Sequence, residues 1–449
     1  MAVLAINGGR KVCDKPFPDQ LTYGSEESVS VFNHMTNRKL LSGYRGNWIP
    51  AFWGGEQVKK FEDAWSKYFD VPYCLAVNSC TSALQIACHA IGLKPGDEVI
   101  VTPWSMSCSA TAPMVCGATP VFADIEPEQF CLSYDSVCEK ITDKTKAIIA
   151  VALFGSPIDP RLYEMAKEKG IWLIEDCAQA PAAYYDDKLY SIGENKKTFP
   201  EKIYTGYLAD IACFSFTQGK HLTCGEGGLI MTSNEALAMR CAAIRNHSES
   251  VISAIVDAPS PLNIFSFTGF REIIKTPGYN MRMTELNAVI MQEQLKKLPA
   301  YVDNRKVAAD GIYRVLKDIP FIKRPQNIDN IKHAYYCQPF LYDNETAPVH
   351  RDIFIKAVAA ELMGEVSRPD RPMLGCGYIK PLYRMPIFNY NIELPTVERL
   401  WKDDFFLSMY HNLPLDQVDI GIISAAFHKV ADNADELKDG VVKSYWRNV

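Results

Sequence analysis

The chain has 449 residues, about three times the length of a ~150-residue domain, so one large domain with a smaller second one is the default expectation. Hydrophobic residues make up 48% and charged residues 22% of the chain, a composition that excludes intrinsic disorder. A net charge of −6 argues against nucleic acid or an anionic membrane surface as a partner.

The sequence also argues against a membrane protein, a secreted protein and a metalloprotein. No stretch approaches the ~18 continuous apolar residues of a membrane span, and the N-terminus lacks the basic start and apolar core of a secretory signal. The 14 cysteines form no C-x-x-C pair, and the eight histidines show no ligand spacing. We therefore expect a cytoplasmic protein without a disulfide scaffold or a metal site.

Short β-branched apolar runs alternate with helical patterns between about residues 60 and 235, which is typical of a mainly parallel α/β sheet. The predicted strands are Glu98–Thr102, Pro120–Ala123, Ala147–Phe154, Ile171–Ile174, Ala212–Phe216 and Gly228–Thr232. Helices are predicted over Thr81–Ile91 and over Arg161–Lys169, the second of which ends at Gly170. In such sheets, ligands bind beyond the carboxyl ends of the strands.

Two stretches interrupt this alternation and are interpreted as loops or insertions, namely Asp186–Tyr207 and Glu249–Pro277. Long loops of this kind serve as lids or interface elements, or are plain surface excursions. A long amphipathic helix is predicted over Gln292–Leu316, and mixed short elements follow it. We therefore divide the chain into a large domain of residues 1–295 and a smaller α+β domain of residues 296–449.

Three segments carry side chains that chemistry could use. Lys220 lies in a polar turn between two core strands, where a lysine can attack a carbonyl as a neutral amine or can simply be solvated. Asp176 and Gln179 follow the strand Ile171–Ile174, where a capping role is the alternative. The run Asn78–Ser82 opens a helix, whose N–H groups and hydroxyls could bind a phosphate or cap the helix.

A phosphate-binding helix N-terminus, an acidic group for a ring nitrogen and a lysine for an aldehyde together match the needs of pyridoxal phosphate (PLP). The motifs that carry these groups resemble, in order, those of the DegT/DnrJ/EryC1/StrS sugar aminotransferase family of fold-type I PLP enzymes. The shared motifs are Asn78–Leu84, Glu175–Gln179, Ser215–Lys220 with Gly225–Gly228, and Gly278–Met283. The resemblance covers nearly the whole chain and implies a mainly parallel seven-stranded sheet flanked by helices, with a smaller C-terminal α+β domain.

The resemblance also implies a role for individual residues. Lys220 would bond to the aldehyde of the cofactor, Asp176 would lie beside the pyridine nitrogen, and Gln179 would lie near the ring hydroxyl. The phosphate ligands implied in the same way are Ser79, Cys80, Thr81, Ser215 and, from the second subunit of a homodimer, Asn280.

Three positions depart from the family pattern. Cys80 replaces a glycine, and Leu413–Asp416 replaces a Leu-Pro-x-His motif. Met106 stands where the family usually places an aromatic residue that stacks on the cofactor ring. A thioether can contact a π face, and Trp104 is close enough in sequence to take the stacking position instead.

The predicted reaction moves an amino group from glutamate or glutamine to a carbonyl of a sugar or cyclitol. The segments Leu41–Gly55 and Thr102–Met114 most resemble the branch that acts on cyclitols such as scyllo-inosose and on the C8 aldehyde of a 3-deoxy-octulosonate. The octulosonate, a lipopolysaccharide-type sugar, is our first expectation. A nucleotide-keto-sugar or scyllo-inosose is the alternative acceptor.

Four residues are candidates for contact with the acceptor: Arg45, Trp48, Arg245 and His247. An arginine can bind a carboxylate or phosphate in a bidentate pair, which an anionic acceptor would require. Each of the two arginines could instead serve a structural ion pair.

Three rival functions stay open at this point. A sugar dehydratase of the same family carries a histidine at the lysine position, and Lys220 argues against that chemistry. A non-catalytic PLP-binding regulator would need an output module, and the sequence has no helix-turn-helix pattern or basic stripe. A scaffold with bound but idle PLP would be distinguished by the absence of turnover with any amino donor.

Overall fold

The computed structural model describes residues 3–18, 22–37, 39–43, 54–186, 202–248, 277–326, 331–363, 373–388 and 390–437. Its helices are α1 (Ser25–Thr36), α2 (Glu56–Phe69), α3 (Cys80–Ala90), α4 (Cys108–Val115), α5 (Tyr134–Lys140), α6 (Arg161–Lys169), α7 (Glu235–Arg245), α8 (Glu285–Leu316), α9 (Arg351–Glu361), α10 (Pro395–Arg399) and α11 (Gln417–Asp432). Its strands are β1 (Tyr73–Val77), β2 (Glu98–Val101), β3 (Thr119–Phe122), β4 (Thr145–Val151), β5 (Trp172–Asp176), β6 (Tyr184–Asp186), β7 (Lys202–Tyr204), β8 (Ile211–Ser215), β9 (Gly228–Thr232), β10 (Ile322–Lys323), β11 (Ile331–Lys332), β12 (Gln338–Tyr342), β13 (Leu374–Cys376) and β14 (Phe405–Ser408).

The central sheet has seven strands in the order β1-β9-β8-β5-β4-β2-β3. The five strands from β8 to β3 pair in parallel, whereas β9 is antiparallel to both of its neighbours. Strand β8 is buried on both faces, because Cys213 points into a cluster with α3 while Phe214 points into a cluster with α2. The sheet confirms the predicted fold class and explains why its strands are continuous apolar runs.

The predicted strands are all present, and their ends agree within two residues except at the end of β4. That strand was predicted to reach Phe154 but ends at Val151, because Phe154 has φ of 57° and Gly155 has φ of 105°. A Cβ added at Gly155 would lie 2.6 Å from the backbone nitrogen of Tyr335. The chain therefore turns here, and the missing side chain of Gly155 leaves room for the segment Ala334–Tyr336, which also reaches the site described below.

The long helix α8 begins at Glu285, seven residues before the predicted start, after the side chain of Thr284 accepts a hydrogen bond from the backbone N–H of Asn287. The carboxylate of Glu285 in turn accepts the backbone N–H groups of Gln57 at 2.9 Å and Val58 at 3.2 Å. Glu285 thus caps the N-terminus of α2 and joins the two helices.

The predicted domain boundary, between residues 295 and 296, lies inside α8. Leu295 packs in the cluster that covers the large sheet, whereas Ile312 packs in a second cluster with the C-terminal elements. Leu4 and Phe17 from the N-terminus belong to that second cluster as well. We therefore propose that the smaller domain includes residues 3–18 and begins within α8.

Two smaller sheets accompany the central one. A four-stranded antiparallel sheet has the order β10-β12-β14-β13, and a three-stranded sheet has the order β11-β6-β7. Because β7 covers Lys202–Tyr204, part of the predicted loop Asp186–Tyr207 is a strand, and its residues 187–201 lie outside the described residues. Most of the second predicted loop, residues 249–276, lies outside them too.

Across the described ranges, no helix combines the length and the apolar character that crossing a bilayer requires. In the same ranges, no three His, Cys, Asp or Glu side chains converge as metal ligands.

Candidate active site

Three of the predicted site residues, Cys80, Asp176 and Lys220, converge where β5 and β8 end and α3 begins. Asp176 is the last residue of β5, and Cys80 is the first of α3, with its Sγ 3.8 Å from the Asp176 carboxylate. Strand β9 begins at Gly228, where an added Cβ would lie 2.5 Å from the backbone of Ser79. The glycine therefore lets β9 lie directly against the N-terminus of α3, and the Lys220 loop that precedes β9 is held nearby.

Asp176 is 3% exposed, and both of its carboxylate oxygens accept hydrogen bonds. Oδ2 accepts from the hydroxyl of Ser109 at 2.9 Å, and Oδ1 accepts from the backbone N–H of Ala178 at 3.1 Å. Burial raises the pKa of Asp176, and these donors together with the charge on Lys220 act in the opposite direction. Within the described ranges, no lysine or arginine forms an ion pair with it, so this buried carboxylate is suited to accept an N–H from a ligand.

Gln179 is buried, and hydrogen bonds fix the orientation of its amide. Its Oε1 accepts the backbone N–H of Phe154 at 2.8 Å, and its Nε2 donates to the hydroxyl of Tyr378 at 3.2 Å. An amide NH₂ carries two hydrogens, so Nε2 has a second one to donate. Gln179 is therefore suited to bind a ring oxygen, as the family resemblance implies.

Lys220 is half-buried in the loop between β8 and β9, and its Nζ lies 4.2 Å from the centre of the Tyr336 ring. A cation over an aromatic face is attracted by the ring quadrupole. The backbone N–H of Tyr336 donates to the carbonyl of Phe154 at 2.7 Å, and His221 Nε2 lies 2.8 Å from the carbonyl of Ala334. The segment that precedes β12 is thereby held against the lysine.

The N-terminus of α3 offers both of the roles that the sequence left open. The side chain of Ser79 caps the helix, because its Oγ accepts the backbone N–H of Ser82 at 3.1 Å. Cys80 and Thr81 are the first two residues of the helix, so their N–H groups have no acceptor within it. Ser79 is thus a capping residue, while the backbone at Cys80 and Thr81 is suited to an anion.

The other two predicted phosphate ligands lie in different surroundings. Ser215 ends β8 and is buried. Asn280 is exposed, and its backbone forms a bridge with Asn246 at the end of α7. Its side chain is accessible to a neighbouring chain.

The expectation that Trp104 could stack on the cofactor is wrong. Its ring is fully buried, its indole N–H donates to the carbonyl of Ile379 at 2.6 Å, and the rings of Phe154 and Phe405 pack edge-on against it. Met106, by contrast, is 57% exposed. The stacking position therefore stays with the thioether of Met106 as a prediction.

Arg245 is in the interior and not at the site. It is 2% exposed, and its Nη1 bonds to Glu62 at 2.8 Å and to the carbonyl of Ala76 at 2.9 Å. The structure thus favours the structural ion pair over a contact with the acceptor. His247 is exposed, with φ of 61°, and the predicted contacts Arg45 and Trp48 lie outside the described residues.

Three residues of the site were not predicted from the sequence, namely Ser109, Tyr336 and Tyr378. Together with the predicted residues they offer PLP a buried carboxylate that is bonded to neutral donors, an oriented amide, a helix N-terminus and a lysine. These groups fit the ring nitrogen, the ring oxygen, the phosphate and the aldehyde of PLP in that order.

Comparisons with known proteins agree with this chemistry. Residues 36–424 match the DegT/DnrJ/EryC1/StrS aminotransferase family. The chain is 32% identical over 386 residues to the L-glutamine:2-deoxy-scyllo-inosose aminotransferase of Streptomyces kanamyceticus, a match that covers 85% of this chain and 82% of the relative. It is 33% identical over 295 residues to the GDP-perosamine synthase of Escherichia coli O157:H7, covering 66% and 71%. A crystal structure of an aminotransferase from Psychrobacter cryohalolentis has the same fold, with a TM-score of 0.76, 24% identity and coverage of 93% of this chain and 99% of that one.

Proposed function

The chain belongs to the DegT/DnrJ/EryC1/StrS family and is a PLP-dependent aminotransferase, and we propose that it moves an amino group from glutamine or glutamate to a carbonyl carbon of a sugar or cyclitol. The observation that carries this proposal is the placement of Lys220 and Asp176 around one sheet edge without an ion pair between them. The relatives named for a cyclitol and for a nucleotide-linked sugar support the acceptor class.

Asp176, Gln179 and Lys220 have different roles in the proposed reaction. PLP, when bound, supplies an aldehyde for the donor amine and a ring that takes up the electron pair of the donor's α-carbon. As a carboxylate, Asp176 accepts the N–H of the ring and keeps that nitrogen protonated, while Gln179 donates to the ring oxygen. Lys220 Nζ would take the proton from the α-carbon of the donor and would return it to the former aldehyde carbon of the cofactor. The acceptor then passes through the same steps in reverse, so the kinetics should be ping-pong.

Within this proposal, the C8 aldehyde of a 3-deoxy-octulosonate stays our first acceptor, and a scyllo-inosose-type cyclitol is the second. Both rest on the resemblance of Leu41–Gly55 and Thr102–Met114, and the Streptomyces relative adds support for the second. The octulosonate is an anion and the cyclitol is neutral. Because Arg245 is paired in the interior, Arg45 is the remaining arginine candidate for an anionic acceptor.

The acceptor test loads the enzyme with pyridoxamine phosphate and mixes it with single sugar aldehydes, keto-cyclitols and nucleotide-keto-sugars. Amino transfer returns the cofactor to its aldehyde form, which the absorbance spectrum reports directly. We expect the octulosonate aldehyde to react fastest. Reaction with nucleotide-sugars alone would overturn the acceptor assignment, and failure of glutamine and glutamate to convert the PLP form would overturn aminotransferase function itself.

We also propose a cytoplasmic homodimer in which the exposed Asn280 reaches the phosphate site of the partner, as the family resemblance implies. The test mixes Lys220→Ala subunits with Asn280→Ala subunits. A mixed dimer has both defects in one site and leaves the other intact, so random mixing should restore about a quarter of the wild-type rate. Absence of recovery despite proven subunit exchange would mean that each site is formed by one chain.

A further inference from the structure

Two buried hydroxyl groups lie behind the Asp176 carboxylate. The Oγ of Ser109 is 2.9 Å from Asp176 Oδ2, and the Oγ of Ser105 is 3.2 Å from the Oγ of Ser109. Ser109 is 0% exposed and Ser105 is 2% exposed, so water does not compete for either hydroxyl. Ser109 lies in the first turn of α4 and Ser105 just before that helix, so the pair joins α4 to the end of β5.

The hydrogens of this chain have a fixed direction when Asp176 is ionised. A carboxylate can only accept, so Ser109 must donate its single hydroxyl hydrogen to Asp176. Ser109 then has no hydrogen left for Ser105 and accepts one from it. Each hydroxyl polarises the next, which strengthens both bonds in a buried setting. A proton on Oδ2 would force both hydroxyls to turn, so the pair favours the charged carboxylate.

We propose that Ser109 is a positioning residue for amino transfer, which Ser105 orients, and that together they hold Asp176 ionised and directed toward the ring nitrogen of the cofactor. This inference rests on the proposed place of Asp176 beside that nitrogen. Both serines lie in the segment Thr102–Met114, but neither was among the site residues predicted from the sequence, and neither reaches the reacting atoms itself.

The other groups that face Asp176 determine how its titration can be observed. Burial raises its pKa, and the N–H of Ala178, the hydroxyl of Ser109, the charge on Lys220 and the thiol of Cys80 lower it. Further titratable groups that interact with it lie on β5, on β8, on α4, after β5 and after β13: Glu175, Cys213, Cys108, Cys177 and Tyr378. Burial raises the pKa of the four thiols and of Tyr378, so these stay uncharged at neutral pH.

Glu175 is the neighbour that could confuse the measurement, because burial raises its pKa to about 7. Each serine variant is therefore made both in the wild type and in a Glu175→Gln background. A shift that persists without Glu175 belongs to Asp176 and the ring nitrogen, which titrate as a coupled pair.

The experiment uses the PLP-loaded enzyme and compares Ser109→Ala with Ser109→Thr, which keeps the hydroxyl. Ser107→Ala is the matched control, because Ser107 precedes α4 but its side chain makes no capping bond. Two readouts are taken: the absorbance spectrum against pH without substrate, and the pH profile of kcat/KM for the amino donor. Loss of a hydrogen-bond donor lets Asp176 take a proton at higher pH. In Ser109→Ala the pH dependence of the spectrum and the pH profile of kcat/KM should therefore both shift upward by about one pH unit.

Ser109→Thr should retain the wild-type profile, Ser105→Ala should shift it less in the same direction, and Ser107→Ala should leave it unchanged. If Ser109→Thr does not fold, Ser105→Ala carries the test, because it leaves Ser109 in place. Folded, PLP-loaded Ser109→Ala with unshifted profiles would overturn the inference. Asp176→Asn separates the two proposals: if it too leaves the spectrum and the rate unchanged, the proposed place of Asp176 has failed, and not only the role of Ser109.

Discussion

Two regions of the molecule each hold one buried carboxylate and one cation, but only one region joins these charges. In the interior, Glu62 on α2 and Arg245 on α7 are both 2% exposed and bond at 2.8 Å. The peptide of Ala76 on β1 lies between them, donating its N–H to Glu62 and accepting from Arg245. The two charges bond to each other and to the backbone of Ala76, so the group joins α2, α7 and β1.

At the sheet edge, the acid and the base are kept apart. Asp176 accepts from the neutral donors Ser109 and Ala178, while the ammonium group of Lys220 lies against the ring of Tyr336. The contrast distinguishes buried charges that can bind a ligand from buried charges that only stabilise the fold. A buried carboxylate without an ion pair can receive the N–H of a ligand, and a lysine without one can bond to its carbonyl.

Removal of the lysine at the sheet edge should have the largest effect on activity. Lys220→Ala should lower amino transfer by several orders of magnitude, because the proton carrier and the bond to the cofactor are lost together. The unfolding temperature should change little, since Lys220 is half-exposed and forms no ion pair in the described part of the chain. Steady-state rates and thermal unfolding measured on the same preparation provide the check.

Lys202→Ala is the matched control for this variant. Lys202 is exposed on β7 and also lies over a tyrosine ring, with its Nζ 5.2 Å from the centre of Tyr184. It should keep the wild-type rate and the bound cofactor. Near wild-type turnover in Lys220→Ala would show that the lysine is wrongly assigned.

Neutralising the two acids should produce opposite defects. Asp176→Asn should keep the fold but slow the donor half-reaction by well over tenfold, or ~1.4 kcal/mol of barrier, because an amide does not hold the ring nitrogen protonated. Glu62→Gln leaves Arg245 charged in the interior and should lower the free energy of unfolding by roughly 3–5 kcal/mol, with the rate per folded molecule preserved. Denaturant unfolding and single-turnover absorbance separate the two. A similar loss of stability in both variants would contradict the distinction between site and scaffold.

Local sequence patterns were sufficient to predict most of the strands and helices of the large domain. Strands such as β9 and helices such as α6 are each set by one contiguous pattern and its flanking glycine, and their predicted bounds agree with the structure. Lys220 and Asp176 could be identified for a similar reason, because Asp176 lies at the end of β5 and Lys220 in the loop after β8, and the ends of neighbouring strands meet at one sheet edge.

Contacts between distant segments could not be predicted in this way. Arg245 was a candidate for the acceptor because nothing near it in sequence reveals Glu62, which lies 183 residues away. Tyr336 reaches the site where the turn at Gly155 leaves room for its backbone, and Tyr378 reaches it through its bond to Gln179, 199 residues away in the sequence. Trp104 was misjudged because proximity to Met106 along the chain does not fix the direction in which a side chain points.

Glu175 is a third buried carboxylate in this comparison, and it sharpens the comparison because no cation pairs with it among the residues that the structure describes. It accepts the hydroxyl of Tyr163 at 2.6 Å and the N–H of Gly206 at 2.8 Å. Burial raises its pKa from 4.5 to about 7. The folded protein therefore keeps this proton up to about pH 7, whereas the unfolded chain releases it near pH 4.5. Its contribution to stability is complete below pH 4.5 and is lost as the pH rises toward 7.

The loss across this window should be on the order of 3 kcal/mol, since each pKa unit corresponds to ~1.4 kcal/mol. Glu175→Gln has no proton to release, so its stability relative to the wild type isolates this one group from all others that titrate. The free energies of unfolding of the two proteins should differ least at pH 5. Between pH 5 and pH 8 the variant should become more stable relative to the wild type, and above that range the difference should stay constant. Denaturant unfolding at pH 5, 6, 7 and 8 measures this difference. Parallel pH profiles would mean that Glu175 is already ionised in the folded protein, and that Tyr163 and Gly206 are enough to hold a buried charge without a cation.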